Sequence, residues 1–539
     1  MIQLNQTMII KRICQYFFGL LALSAVALAD SRPNLLVLLT DDQRWDTLGV
    51  YNEECPIPTP NLDRLANEGI RFDQGFVTTP ICAVSRASIL TGRYASNHGM
   101  HYFGVNMEDD AFEHSYPVYL REAGYFSGHF GKYGVAYSPG QKAQFDVFEA
   151  DGNQGPKFRK YKGEELHDSA WLTAKTRDFL DAVPDGKPFV LQLSYKAPHA
   201  SSCPAPEDEH LLDDVEFERS PYDTKAAFDQ LPEIAKFSLM ERVYAREFNN
   251  FDERNNERNI NHYMRQYYEK IVSVERSVGD IMAELETRGL ADNTVIIFLS
   301  DHGTHFGEKQ LAGKWTPYEE SLRIPFIVYD PRPGARHGAV SDKMVLNIDV
   351  APTLLDLAGV EVPEIMDGKS LVPLIERTTG NQQRTTHPWR SQFAYEHFTS
   401  PSRAMRPLPR NDGIRREDFK YVRWFDPQPV VEELFDLRND PAEMRNLASI
   451  PEYASDLVAM RSVYERWRAA NPSTYTYKTY EGRSQWGAKS IDWDRFKQAH
   501  PKDYQKIAAQ VERLGVTWEQ AVHDPEVRKT IGKHTGFWY

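Results

Sequence analysis

The chain has 539 residues, 41% of them hydrophobic and 26% charged, with a formal net charge of −14. That length exceeds a single ordinary core and suits a large globular domain with at least one smaller companion. The acidic balance argues against a nucleic-acid partner, which needs a basic surface, but leaves room for a small anion held in a local cationic pocket.

Lys11 and Arg12 precede an apolar run from Ile13 to Leu28, and Ala27-Leu28-Ala29 offers a small-x-small cleavage pattern. Residues 1–29 are therefore expected to be a signal peptide, because the run is short and is followed at once by Asp30-Ser31-Arg32-Pro33. No second long apolar stretch follows, so the expected mature protein is periplasmic or secreted and has no membrane span. Cys14 would leave with the signal. Cys55, Cys82 and Cys203 remain, too few and too irregularly spaced for a disulfide scaffold.

Asn34 to Thr40 is a continuous apolar run ending in Asp41-Asp42, as expected for a strand covered on both faces. The same form recurs at Phe189–Ser194, at Thr294–Ser300 before Asp301-His302, and at Ile324–Tyr329. Helical spacing marks Asn61 to Gly69 and Tyr263 to Arg288 between them. Strand and helix in alternation predict an α/β fold, a large mixed and mostly parallel sheet sandwiched by helices. Asp41, Asp42, His199, Asp301 and His302 all follow strand C-termini, the edge at which such sheets bind ligands. Residues 201–261 interrupt the alternation and read as a charged insertion beside that edge.

After Ile375 the composition shifts to a linker. Gln392–Phe398, Asp418–Phe425 and Glu432–Leu437 then predict a short antiparallel sheet in a smaller C-terminal α+β subdomain. The expected division is a catalytic domain over 30–385, the subdomain over 386–474 and a helical tail over 475–539.

Asp41-Asp42 and Asp301-His302 offer three carboxylates and an imidazole, a set suited to a hard divalent cation. Adjacent acids at a buried strand end repel each other, and a cation relieves that cost.

The run Thr79-Pro80-Ile81-Cys82-Ala83-Val84-Ser85-Arg86, opening a helix that ends in Leu90-Thr91-Gly92-Arg93, resembles the nucleophile segment of the formylglycine-dependent sulfatases, members of the alkaline phosphatase-like superfamily. Gly131-Lys132, Pro198-His199, Asn293–Gly303, Gly313-Lys314 and Leu434–Leu447 look like further segments of the polysaccharide-type members, in family order. The resemblance implies that a maturation enzyme oxidises Cys82 to 3-oxoalanine (formylglycine), whose hydrate attacks the sulfur of a sulfate ester. It also implies one calcium ion held by Asp41, Asp42, residue 82, Asp301 and His302. Arg86 stands one helical turn beyond Cys82 and would hold the hydrate. Lys132 and Lys314 would offset developing negative charge, and His199 would protonate the leaving oxygen.

His98, His101, His129, His305, Arg44, Arg93 and Trp315 are candidates to contact the substrate, with Trp45, Tyr94, Tyr102 and Phe103 as possible sugar-stacking rings. Two positions depart from the family pattern. Val84 stands in place of a proline that the maturation enzyme is thought to read, and Gly134 in place of a histidine. The function so implied is an exported calcium-dependent sulfatase acting on a sulfated carbohydrate. The alternatives are a phosphoester or phosphonate hydrolase of the same superfamily, or a carbohydrate-binding relative without catalysis.

Overall fold

The computed structural model describes residues 32–101, 107–151, 154–236, 260–377, 388–398, 408, 410–425, 430–472 and 501–518, with 527 and 530. The expected signal peptide, Cys14, Tyr102, Phe103, the far part of the insertion and most of the expected tail lie outside these residues.

Eight strands build the main sheet: β1 (Asn34–Asp41), β2 (Ile70–Phe76), β3 (Phe126–Lys132), β4 (Val147–Asp151), β5 (Phe189–Pro198), β6 (Thr294–Ser300), β7 (Phe326–Tyr329) and β8 (Ala339–Leu346). Their spatial order is β8-β2-β7-β6-β1-β5-β3-β4. All neighbours pair in parallel except β7, which is antiparallel to both β2 and β6. The sheet is thus mixed and mostly parallel. Because β7 reverses twice, β2 runs with β6, and its C-terminal end reaches the same edge as those of β1, β5 and β3.

Every residue of β1 is buried. Successive side chains point to opposite faces. Leu35, Val37 and Leu39 enter one apolar layer with Ala83, Val84 and Ile89 of helix α2 (Cys82–Thr91). Leu36 and Leu38 enter the other layer with Ile271, Val274 and Val278 of helix α4 (Ile260–Thr287). An unbroken apolar strand is what two covered faces require. Helix α1 (Pro60–Glu68) and helix α3 (Asp168–Ala182) pack beside α4 on that second face.

A separate antiparallel sheet follows, β9 (Gln392–His397), β10 (Asn411–Arg416), β11 (Phe419–Trp424) and β12 (Val431–Asp436), paired in sequence order. Three of its strands fall on the expected segments; β10 is an addition, since its Asn-Asp-Gly start carries turn residues. Helix α5 (Ala454–Ala470) covers this sheet. The sheet is docked on the main domain at a sensitive place. Glu396 N–H of β9 donates to Thr78 O at 2.8 Å, four residues before Cys82.

Of the expected insertion 201–261, residues 201–236 form turns and two short helices, Lys225–Gln230 and Glu233–Lys236, whereas 260 and 261 already belong to α4. Within the expected tail, Pro501–Leu514 is helical. Cys55, Cys82 and Cys203 are free thiols. No helix among the described residues is long and apolar enough to cross a membrane.

Candidate active site

Four adjacent parallel strands deliver the site residues from their C-terminal ends. Thr40 and Ser300 are register partners on β1 and β6, so Asp41-Asp42 and Asp301-His302 leave the sheet side by side. Asp41 aligns with Pro198 of β5, which places His199 next to them. Lys132 closes β3 on the far side of β5.

The thiol arrives from another direction. Helix α2 begins at Cys82 and is stopped by Gly92 in the left-handed conformation at φ 66°. Its N-terminus, with unpaired N–H groups and the positive end of the dipole, faces the acidic strand ends, a setting that favours a bound anion. Cys82 Sγ lies 3.1 Å from His302 Nε2 and 3.2 Å from Lys314 Nζ.

Cations interleave the carboxylates. Arg86 Nε donates to Asp301 Oδ2 at 2.8 Å and its Nη1 to Lys132 O at 2.6 Å. Lys132 pairs with Asp41, and Lys314 with Asp42. Burial works to raise the Asp41 carboxyl, but Lys132, His199 and Arg86 outweigh it and hold it well below the ordinary range. For Asp42 burial wins over Lys314, and the carboxyl is raised. Burial opposes a charge on His302, yet Asp301 and Cys82 lift it to about 9.

These residues fit a divalent cation. One ligand atom each from Asp41, Cys82, Asp301 and His302 lie within 4.8 Å of one another, and Asp41, Asp42, Cys82 and His199 form an overlapping set. Asp41 Oδ1 is buried with no hydrogen-bond partner among the described residues. A buried carboxylate oxygen in that condition calls for a ligand. The carboxylate oxygens of these sets suit a hard ion, beside the softer thiol and imidazole donors.

His199 is oriented by its own loop. Its Nδ1 lies 3.1 Å from the Ser201 backbone N and 2.9 Å from Ser201 Oγ, and its Nε2 lies 3.2 Å from Gln154 Nε2 and 3.8 Å from Asp42 Oδ2. Burial and then Lys314 push its pKa well below the ordinary histidine value, so the imidazole is neutral.

Several expected substrate contacts are engaged elsewhere, packed into the core or paired with other side chains. His98 accepts from Met100 N–H at 3.1 Å and meets Ser88 Oγ at 3.0 Å. His129 is buried among Tyr133, Phe145 and Phe148. Arg44 pairs with Asp46 and Glu308 over the ring of Phe306. Trp45 lies under Arg323, and Tyr94 against Trp467. His305 is fully buried and bonded to Thr316. Trp315, next to Lys314, and His101 instead meet the end of β9, at His397 and Phe398 respectively. Arg93 is half-buried, with Asp367 and Asp110 as its nearest opposite charges.

Sequence reasoning missed Tyr267. This α4 residue donates its hydroxyl to Asp42 O at 2.7 Å and accepts from Arg44 N–H at 3.0 Å. It therefore clamps the one acidic ligand with a left-handed backbone, Asp42 at φ 68°. It reads in sequence as one more apolar position of an amphipathic helix, and no local signal separates it from its neighbours.

A nucleophilic side chain at a helix N-terminus, ringed by carboxylates and fixed cations at a parallel-sheet edge, defines a hydrolase acting on esters of a tetrahedral anion. The sulfatase family profile matches residues 33–360, and the profile of the N-sulphoglucosamine sulphohydrolase C-terminal region matches 307–469. An N-acetylglucosamine-6-O-sulfatase of Bacteroides thetaiotaomicron is 30% identical over 507 residues, covering 81% of this chain and 88% of its own. A solved structure of a protein in complex with its substrate D-glucosamine-2-N,6-O-disulfate has a TM-score of 0.69 at 27% identity, covering 83% of this chain and 100% of that one. A phosphonate monoester hydrolase from Silicibacter pomeroyi follows with a TM-score of 0.66 at 25% identity, covering 82% and 96%. The chain belongs to the sulfatase family, within the alkaline phosphatase-like superfamily, and is a sulfuric ester hydrolase.

Proposed function

We propose that this protein is an exported, calcium-dependent sulfatase that removes sulfate from a sulfated amino sugar of a polysaccharide, through a formylglycine made from Cys82. The observation that carries the reading is the convergence of Lys314 Nζ and His302 Nε2 on Cys82 Sγ at 3.2 and 3.1 Å, beside three buried carboxylates. The name N-acetylglucosamine-6-O-sulfatase and the glucosamine disulfate in the solved complex support the sugar class.

Asp41, Asp42, residue 82, Asp301 and His302 would hold calcium, which supplies Lewis-acid polarisation of a sulfate oxygen. A sulfate ester is a stable anion, so cleavage needs its oxygens neutralised and its leaving oxygen protonated. Arg86, held by Asp301 and Lys132 O, fixes the first turn of α2 and keeps a permanent positive charge at the reacting position. Lys132 and Lys314 set two further charges against the oxygens, preorganised by Asp41 and Asp42. His199, with Nε2 3.8 Å from Asp42 Oδ2, is the group assigned to the leaving oxygen; burial and Lys314 keep it neutral in the resting site, so it must take up a proton before it can donate one. The aldehyde expected at residue 82 would supply, as its hydrate, the oxygen nucleophile that a thiol lacks.

The test uses the full chain co-expressed with a formylglycine-generating enzyme and calcium. Sulfate release from D-glucosamine 6-sulfate, with conversion of Cys82 in the peptide mass, is the expected result. Cys82→Ala should abolish release while leaving the fold intact. Hydrolysis of phenylphosphonate monoesters with no action on any sulfated sugar would overturn the reading in favour of the phosphonate alternative. An unconverted, inactive chain would favour a binding relative.

A further inference from the structure

The stretch that bears Asp301 and His302 also bears Lys314, and a two-rung antiparallel ribbon ties its ends together. Phe306 pairs with Ala312, and His305 with Gly313, immediately before Lys314. The turn that follows is unusual. Trp315 holds φ 78°, a left-handed conformation that a bulky side chain rarely adopts. Such a conformation persists only where its surroundings over-determine it.

The surroundings are explicit. His305 Nε2 lies 2.7 Å from Thr316 Oγ1, and that hydroxyl lies 2.8 Å from Ser321 Oγ. Both His305 and Thr316 are fully buried. At the ribbon's tip Glu308 accepts from Phe306 N–H at 2.7 Å and from Arg44 Nη1 at 2.7 Å. Arg44 stands two residues beyond Asp42, so the ribbon is registered against the β1 ligands as well as against β6.

We infer that the His305–Thr316 hydrogen bond is a positioning device for the sulfatase reaction, fixing the strained Trp315 turn so that Lys314 reaches residue 82 and Asp42. The inference rests on the reading of Lys314 as a group that acts on the sulfate. Burial lowers His305 to about 4, so its ring is neutral and can share one proton with the Thr316 hydroxyl. A cation held by His305, Glu308 and Glu320 is the competing role for the same imidazole, since their ligand atoms lie within 4.8 Å of one another. Arg44 on Glu308 and Lys309 at 4.0 Å from Glu320 already supply those carboxylates with positive partners.

The experiment is a double-mutant cycle on the full, matured chain with D-glucosamine 6-sulfate. Thr316→Val, of the same shape without the hydroxyl, should lower kcat/KM by about tenfold to a hundredfold, carried by kcat. Thr316→Ser should recover most of that loss. In a Lys314→Ala background, Thr316→Val should cost nothing further, because its effect runs through the missing amine. His305→Phe serves as the second entry to the cycle. Additive losses, no recovery with Ser, or a lowered melting temperature at unchanged kcat would each overturn the role. So would a second equivalent of bound metal in the parent that His305→Phe removes. If the parent chain neither releases sulfate nor gains thermal stability from inorganic sulfate with calcium, the sulfatase reading falls and takes this role with it. Parental turnover with additive losses sinks the positioning alone.

Discussion

The Cβ that Gly134 lacks would stand 2.7 Å from Arg86 Cδ and 3.3 Å from Arg86 Nε. Residue 134 is thus kept bare by the arginine that carries Asp301, and its φ of 73° adds a second reason for glycine. The histidine that the family pattern carries here has no room beside Arg86 in this backbone. Gly134→Ala should lower kcat/KM by about tenfold or more through a displaced guanidinium. It should also cost about 1–3 kcal/mol of stability. Sulfate release and urea unfolding check both; unchanged turnover would show that Arg86 tolerates the shift.

Val84 sits in the first turn of α2, where the first intrahelical bond is Ser85 N–H to Ile81 O. The Val84 N–H therefore has no helical acceptor to lose, and proline is tolerated at such positions. Val84→Pro should keep stability within about 1 kcal/mol of the parent. The fraction of Cys82 converted on co-expression should be no lower than in the parent. A clear fall in the peptide mass ratio would count against the family reading of this segment.

Calcium removal should silence the enzyme without unfolding it. Arg86, Lys132 and Lys314 already pair with Asp301, Asp41 and Asp42, so the carboxylates are compensated without the ion. Chelation should abolish sulfate release, and calcium should restore it. Calcium at a hundred times its Kd should stabilise the fold by about 2.7 kcal/mol. Restoration by zinc or manganese but not calcium, or unfolding on chelation, would contradict this.

Tyr267→Phe removes a hydroxyl that bonds Asp42 O and Arg44 N–H at 2.7 and 3.0 Å. Groups that orient metal ligands are worth roughly 10-fold to 100-fold in metal affinity. The variant should need correspondingly more calcium for half-maximal activity while reaching a similar plateau. An unchanged calcium titration would mean that Asp42 holds its left-handed turn without help.

Glu275 of α4 caps helix α1 from outside, accepting from Asn61 N–H at 2.5 Å and Leu62 N–H at 3.0 Å. Thr59, at the cap position, makes no such side-chain bond. Burial raises the Glu275 carboxyl from 4.5 to about 7 in spite of both donors. A raised folded pKa means that the folded state binds the proton more tightly. The associated stability is full below the unfolded value and is lost as pH climbs through about 7. The effect is on the order of 3 kcal/mol at most. Glu275→Gln should flatten the fall in urea midpoint between pH 4.5 and 7. A slope equal to the parent's would place the titration elsewhere.

The legible parts of this protein were those encoded within a few consecutive residues. The apolar run of β1 announced a strand covered on both faces, and its acidic terminus announced a ligand edge. The helix opening at Cys82 was bounded by Gly92, which stops it in the left-handed conformation. Asp41, Asp42, Asp301 and His302 could be grouped because parallel strands share an edge, and the register of Thr40 with Ser300 is the physical form of that grouping. β2, β3, β4 and β8 were not recognised as strands. Phe126–Lys132 is almost wholly buried, but two glycines and a histidine interrupt its apolar run and leave little periodic signal.

By itself the sequence determined which residues can do chemistry here and at which strand ends they emerge, since hydrophobic runs and turn residues act locally. Only the tertiary structure decided which of them meet. It set Arg86 on Asp301, turned His98 and His129 into the core, stationed Tyr267 behind Asp42, and left no space at residue 134 for a side chain. Those outcomes depend on contacts between segments up to 225 residues apart, and close packing settles such contacts only when every neighbouring chain is in place.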